Sequence, residues 1–416
     1  MSTTELGPTE LGATEPNPTG SGNTGADPAG PEASGSGTTG VAPYVDTRRY
    51  LWAIGLLVPA LPLASAGLAA VTGSDLWWWL TPGFIYLLIP VLDAVLGTDT
   101  ANPPEEVVAA LEADHYYRWL TYLYLPLQYT SFLVGAWLFV DGAGSWVTKL
   151  AIAVSVGGVG GIGIANAHEL GHKKEKVERR LSKFVLAQTA YGHFYVEHNR
   201  GHHNRVATPE DPASSRMGES FWAFLPRTVF GSLRSAWELE AKRLRAHGQR
   251  VFSWRNDVLN SWAITVVLFA AVTVWLGVAV VPFLVIQAVF GFCLLEVVNY
   301  VEHYGLLRQR LDSGRYERCR PVHSWNSNHV ASNVALYNLE RHSDHHAHPT
   351  RRYQSLRHFD ESPQLPNGYG LMIGLAYFPP IWRRMMDHRV VEHYEGDLGL
   401  ANLAPSKREQ LLRRWS

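Results

Sequence analysis

Val258–Leu295 reads VLNSWAITVVLFAAVTVWLGVAVVPFLVIQAVFGFCLL, 38 residues without a charged side chain. A helix needs about 20 apolar residues to cross the hydrocarbon core of a bilayer. The run is too long for one crossing and right for two, broken around Gly277–Pro282. Upstream, Tyr50–Val71 gives another 22 residues without a charge. Hydropathy then places spans at about 50–71, 76–96, 119–140, 147–167, 258–277 and 281–302. The expected fold class is an all-α polytopic membrane protein with six transmembrane helices and a cytoplasmic, histidine-rich cap.

The remaining segments fit that frame. Residues 44–416 form a single domain. Met1–Pro43 is an acidic, low-complexity tail rich in Gly, Thr, Pro, Ser and Glu, and it is expected to be disordered. It lacks the basic start and apolar core of a signal peptide. Trp77–Trp79 reads as an interfacial anchor. Asn102–Ala113 is an acidic helical connection. Phe221–His247 mixes aromatic residues with regularly spaced arginines, which suits a helix on a membrane surface or an ordinary cytoplasmic one. The mean hydropathy of −0.07 looks soluble only because it averages polar and apolar regions. A net charge of −1 offers no basic surplus for nucleic acid. Cys293 and Cys319 form no C-x-x-C pair, so neither a disulfide framework nor a fused iron–thiolate carrier is expected.

Orientation follows from the basic residues. Arg48 and Arg49 precede the first span, and Lys and Arg are dense in 173–255 and after Arg308. The opposite loops near Thr72–Asp75, Asp141–Trp146 and Gly277–Val281 contain neither. The positive-inside rule puts both termini and the large loop in the cytoplasm.

Half of the 18 histidines fall into four clusters on that side. They are His168 and His172; His198, His202 and His203; His303; and His342, His345 and His346. Residues three and four apart share a helix face, so the H-x-x-H-H array at His342 is expected to converge on one point. Neutral imidazole is a common ligand for zinc, iron, copper and nickel. A structural zinc site closes with four ligands, and a catalytic one uses three. Nine rings suit two metals, each holding four or five imidazoles, and nitrogen donors suit a redox-active iron pair better than magnesium or calcium, which want oxygen. His168–Glu169–Leu170–Gly171–His172 matches the H-E-x-x-H motif of zinc proteases. A membrane metalloprotease would leave seven of the nine histidines without a role.

HELGHKK at 168–174, EHNRGHHNRVATPEDPASS at 197–215, NYVEHYGLLR at 299–308 and LERHSDHHAHPTRRYQSLR at 339–357 together resemble the membrane alkane 1-monooxygenase family. NPPEEV, GESFW and HSWNSNH add to the likeness, which runs from about Tyr44 to near the C-terminus. The histidine boxes alone would also suit a fatty-acyl desaturase or hydroxylase. The NYVEHYG segment and the extended last box favour the alkane enzymes. The resemblance implies a two-iron non-haem centre on the nine clustered histidines. It implies oxidation of the terminal methyl of medium- or long-chain n-alkanes to primary alcohols with O2. It further implies electrons from rubredoxin on a separate chain, reduced by an NAD(P)H-dependent reductase, and a place in a bacterial inner membrane.

Further expectations attach to single residues. Asp93, Asp211, Glu302 and Asp344 are candidate carboxylates for orienting the imidazoles. Ile85, in mid-span, is expected to border the substrate tunnel, where a Trp would limit chain length. Lys173, Lys174, Arg351 and Arg352 are candidates for a rubredoxin docking face.

Overall fold

The computed structural model describes residues 44–142 and 144–415. The expected tail, 1–43, lies outside the described residues. Among the described residues six helices are long and apolar enough to cross a membrane: Leu51–Thr72, Asp75–Leu96, His115–Asp141, Trp146–Gly171, Asp257–Leu276 and Val278–His303. Valines and leucines such as Leu57, Leu87, Val266, Val274 and Val285 point outward and stay exposed. In water that pattern would be unfavourable; against lipid tails it is the solvated face.

The fourth span is the axis of the bundle. In its most apolar stretch 89% is buried within the fold, against 22–44% for the other five. Its glycines explain how it is approached so closely. A Cβ on Gly157 would lie 2.6 Å from the Gln287 carbonyl oxygen, and one on Gly161 would lie 2.8 Å from that of Gly291. The two glycines stand four residues apart, on one face, and let the backbones of spans four and six touch.

Spans three and four run beyond their apolar windows. The third begins at His115 rather than near 119, and the fourth continues to Gly171 rather than 167. Hydropathy ends where the lipid ends, but the helix goes on into the polar layer and carries His168 with it. The exposed Trp77, Trp79, Trp146 and Trp275 mark the opposite end of the bundle. That end carries one basic residue inside a span, Lys149, whose ammonium lies 5.6 Å from the Phe139 ring centre.

Segments beyond the span ends close the histidine-bearing end. Phe221–Ala246 is a 26-residue helix capped by the Ser220 hydroxyl. Tyr369–Ala376 and Pro379–His393 pack beside the sixth span through Tyr300, Tyr304, Tyr369, Met386 and Trp382.

Candidate metal centre

Local helix type decides where each imidazole goes. His168, near the end of the fourth span, and His172, just after it, stand four apart and share a face. The second cluster behaves differently. Residues Glu197–His202 form a π-helix, flanked by single turns at Phe194–Val196 and His203–Arg205. A π-turn brings i and i+5 together, and such turns recur at functional sites. His198 therefore meets His203, Nε2 to Nε2 at 3.1 Å, while His202 turns away to His346 at 3.2 Å. In the short helix His342–Ala347, His342 and His346 share a face at 2.9 Å. His345 points elsewhere and lies 3.0 Å from His203. The H-x-x-H-H array thus does not converge on one point, because neighbouring helical residues diverge by about 100°.

The nine nitrogens sort into two groups. His168, His172, His198, His203 and His345 form one; His202, His303, His342 and His346 form the other. Each adjacent pair, His202–His203 and His345–His346, sends one ring to each group. The five-histidine group includes two half-buried rings, His172 and His203, whereas all four rings of the other group are buried.

The geometry fits metal ions. Two nitrogens about 2.1 Å from one ion, at right angles to each other, lie about 3 Å apart. The closest Nε2 pairs within the groups are 2.9–3.3 Å apart. The Nε2 atoms of His168 and His172 are buried and have no hydrogen-bond partner. Burial holds His172, His198, His203, His342, His345 and His346 well below the usual imidazole pKa, and neighbouring histidines push the same way. These six rings are neutral at pH 7 and keep a lone pair free for coordination. An all-imidazole donor set suits a transition metal.

The four candidate carboxylates separate in space. Asp211 sits behind a ligand ring, 2.9 Å from His202 Nδ1, and accepts from Ser214 Oγ. Burial raises its pKa, but His202 and Ser214 outweigh this and bring it to about 2. Glu302 lies on the other side of a ring, 3.2 Å from His342 Nε2, with Tyr369 donating to its second oxygen. Asp93 and Asp344 serve the scaffold. Asp93 accepts from the Ser332 amide and hydroxyl. Asp344 accepts from Arg351, from the Arg357 amide and from the His348 ring, which belongs to neither group. Glu169 of the H-E-x-x-H motif is paired with Lys173 at 2.9 Å, both buried, so the charge a protease would use as base is already matched.

An apolar cavity lies within the bundle. Ile85 lines it with Phe84, Ile162, Leu294, Val298 and Leu339. Val298 stands one helical turn before Glu302 and Ala165 one before His168, while Leu339 precedes His342 by three residues. A second apolar hollow, lined by Tyr86, Phe221, Trp222, Phe290, Cys293 and Tyr377, lies on the far side of Ile85–Tyr86. The Tyr86 and Tyr377 hydroxyls meet at 3.1 Å between span two and the end of Tyr369–Ala376.

The candidate docking cations are mostly engaged inside the fold. Lys173 also donates to the Arg351 carbonyl at 2.8 Å. Arg352 is buried against Glu178, and Arg351 pairs with Asp344 at 2.9 Å. Lys174 alone of the four is exposed.

Comparison with known proteins decides among the readings of such a centre. The fatty acid desaturase family model matches residues 144–376. Alkane 1-monooxygenase 1 of Alcanivorax borkumensis is 48% identical over 88% of this chain and 91% of its own length. Alkane 1-monooxygenase of Ectopseudomonas oleovorans is 48% identical over 89% of this chain and 93% of its own. The chain belongs to the alkane 1-monooxygenase family. A more distant similarity, 26% over 81% of the chain, links it to the xylene/toluene monooxygenase hydroxylase component of Pseudomonas putida. Two features of this member were not readable from spacing. One is which histidine joins which group, signalled only by the two His-His dipeptides. The other is Tyr369, which nothing in its local sequence marks.

Proposed function

We propose that this alkane monooxygenase oxidises the terminal methyl of medium- and long-chain n-alkanes to primary alcohols at a centre of two non-haem iron ions. The observation that carries the reading is nine imidazoles gathered in two groups, close in sequence to positions that line an apolar cavity. Iron, when bound, supplies activation of O2 and attack on an unactivated C–H bond. The nine histidines named above would hold the two ions.

The protein's own part is positioning. An alkane has no polar handle, so walls such as Ile85, Leu294 and Val298 must orient it and present one end to the metal layer. The hollow beside Tyr86 and Tyr377 faces the apolar exterior and supports entry from the bilayer. Burial of the four-histidine group keeps water from the reacting end. His172 and His203, being less buried, offer the shorter path for electrons. Rubredoxin on a separate chain, reduced by an NAD(P)H-dependent reductase, is the donor, and exposed Lys174 supports docking near His172. Basic residues at the histidine end support a bacterial inner membrane with both termini in the cytoplasm.

The test is a product assay. Membranes containing the protein receive n-octane or n-hexadecane, rubredoxin, its reductase, NADH and isotopically heavy O2. A 1-alkanol carrying one heavy oxygen is the expected product. An alkene would assign desaturation, and an alcohol with ordinary oxygen would exclude monooxygenation.

A further inference from the structure

We propose that the Tyr86–Tyr377 hydroxyl pair is a binding site for the hydroxyl of a primary alcohol, resting on the reading that the product is a 1-alkanol. The pair holds the departing product, whereas the alkane substrate passes it without a bond.

The pair stands at the partition between the two apolar chambers. Three elements each send consecutive residues to opposite sides of it. Ile85 lines the inner cavity and Tyr86 the outer hollow; Leu294 and Cys293, and Ile373 and Gly374, divide in the same way. The partition is thus a single layer of chain, made of span two, span six and Tyr369–Ala376. In span two that layer is a π-helix, Phe84–Leu88, a form that recurs at functional sites. Gly370 lets the neighbouring helix close against it, since a Cβ there would lie 3.0 Å from the Ile85 carbonyl oxygen. The two hydroxyls, 3.1 Å apart, tie these elements together. Both rings are half-buried, so a ligand in the hollow can reach them.

Hydrogen-bond accounting gives the site its chemistry. Two phenols carry two hydroxyl hydrogens and make one bond between them. Neither hydroxyl has another partner among the described residues, so one O–H is left without an acceptor. The other side chains lining both chambers have little to give a polar group. The Trp222 indole N–H is committed to the Tyr377 carbonyl at 3.0 Å, and the Ser332 hydroxyl donates to Asp93. The Cys293 thiol remains, a weak donor. An alkane has neither donor nor acceptor and leaves the pair as it is. A 1-alkanol has both: its oxygen accepts the spare O–H, and its own hydrogen goes to a phenol oxygen. Carrying a hydroxyl through an apolar wall without such partners is unfavourable. The pair therefore serves the one functional group that the reaction adds.

The experiment is equilibrium dialysis of full-length, iron-loaded protein in detergent against tritiated 1-octanol or n-nonane, which match in heavy-atom count. Uptake by the micelles is common to wild type and variants and cancels in the ratio. In the double variant Tyr86→Phe, Tyr377→Phe the affinity for 1-octanol should fall about 10-fold or more, because two hydrogen bonds are lost. The affinity for n-nonane should not change. If the double variant aggregates, Tyr377→Phe alone decides, with an expected loss of about 3-fold for 1-octanol only. Equal affinity for 1-octanol in wild type and variant would overturn the inference. So would an equal loss for both ligands, which would make the pair a packing contact. An alkene from the heavy-oxygen assay would instead overturn the product role and the reading beneath it, whatever the binding constants.

Discussion

The two histidine groups use the same ring but differ in burial and in support. The five-histidine group includes half-buried His172 and His203 and lies beside exposed Lys174. The four-histidine group is wholly buried, has Asp211 behind His202 and has Glu302 beside His342. The difference teaches that one layer of like rings can hold a wholly buried set beside one that is only partly so. The proposed function uses that difference, with electrons entering beside the partly buried group and substrate held against the buried one.

The sharpest way to break that comparison is to separate the neighbours His202 and His203. Each belongs to a different group although they are adjacent in sequence. His202→Ala and His203→Ala should each lower turnover by more than about 100-fold, beyond the range for a supporting residue. Each should weaken a different iron, as read by Mössbauer spectroscopy. Loss of the same iron in both variants would refute the division. Asp211→Asn should have a smaller effect confined to the four-histidine group, with iron affinity there reduced by about 10–100-fold. Equal weakening of both irons would show that Asp211 does not act through His202.

The sequence showed the spans because a bilayer imposes length and apolarity on any helix that crosses it. It also singled out the nine histidines that the fold brings together. It did not show their division, because a helical spacing of four was assumed where a π-turn makes the spacing five. Asp93 and Asp344 looked as suitable as Asp211, since what a buried carboxylate touches is set by chain segments far away in sequence. Lys173 and Arg352 looked like surface cations for the same reason; their partners, Glu169 and Glu178, are matched only in the folded chain.

Ile85 sharpens the comparison from the substrate side. It is buried, lines the cavity, and its Cδ1 would lie 3.2 Å from a Cβ on Gly158. Ile85→Trp should reduce activity on long alkanes by about 10-fold or more while sparing shorter ones, the scale expected when an apolar pocket loses room for a methylene. Iron content should be unchanged. An unaltered chain-length profile would place the substrate elsewhere.

The smallest expected effect is on the pH dependence of the metal-free protein. The unfolded chain begins to bind protons at its histidines below about pH 6.5. The folded chain resists, because burial depresses His172, His198, His203 and His345 of one group and His342 and His346 of the other. The unfolded state therefore binds more protons, and stability falls as pH drops from about 6.5 toward the folded pKa values, by up to ~1.4 kcal/mol per pH unit for each proton of difference. Four of these six rings belong to the five-histidine group, so filling that group with iron should remove most of the slope. Thermal unfolding in detergent at about pH 7.5, 6.5 and 5.5, with and without iron, reads both effects. A flat profile without metal would mean that the rings are not held neutral by burial, and the contrast between the partly buried and the wholly buried group would lose its electrostatic basis.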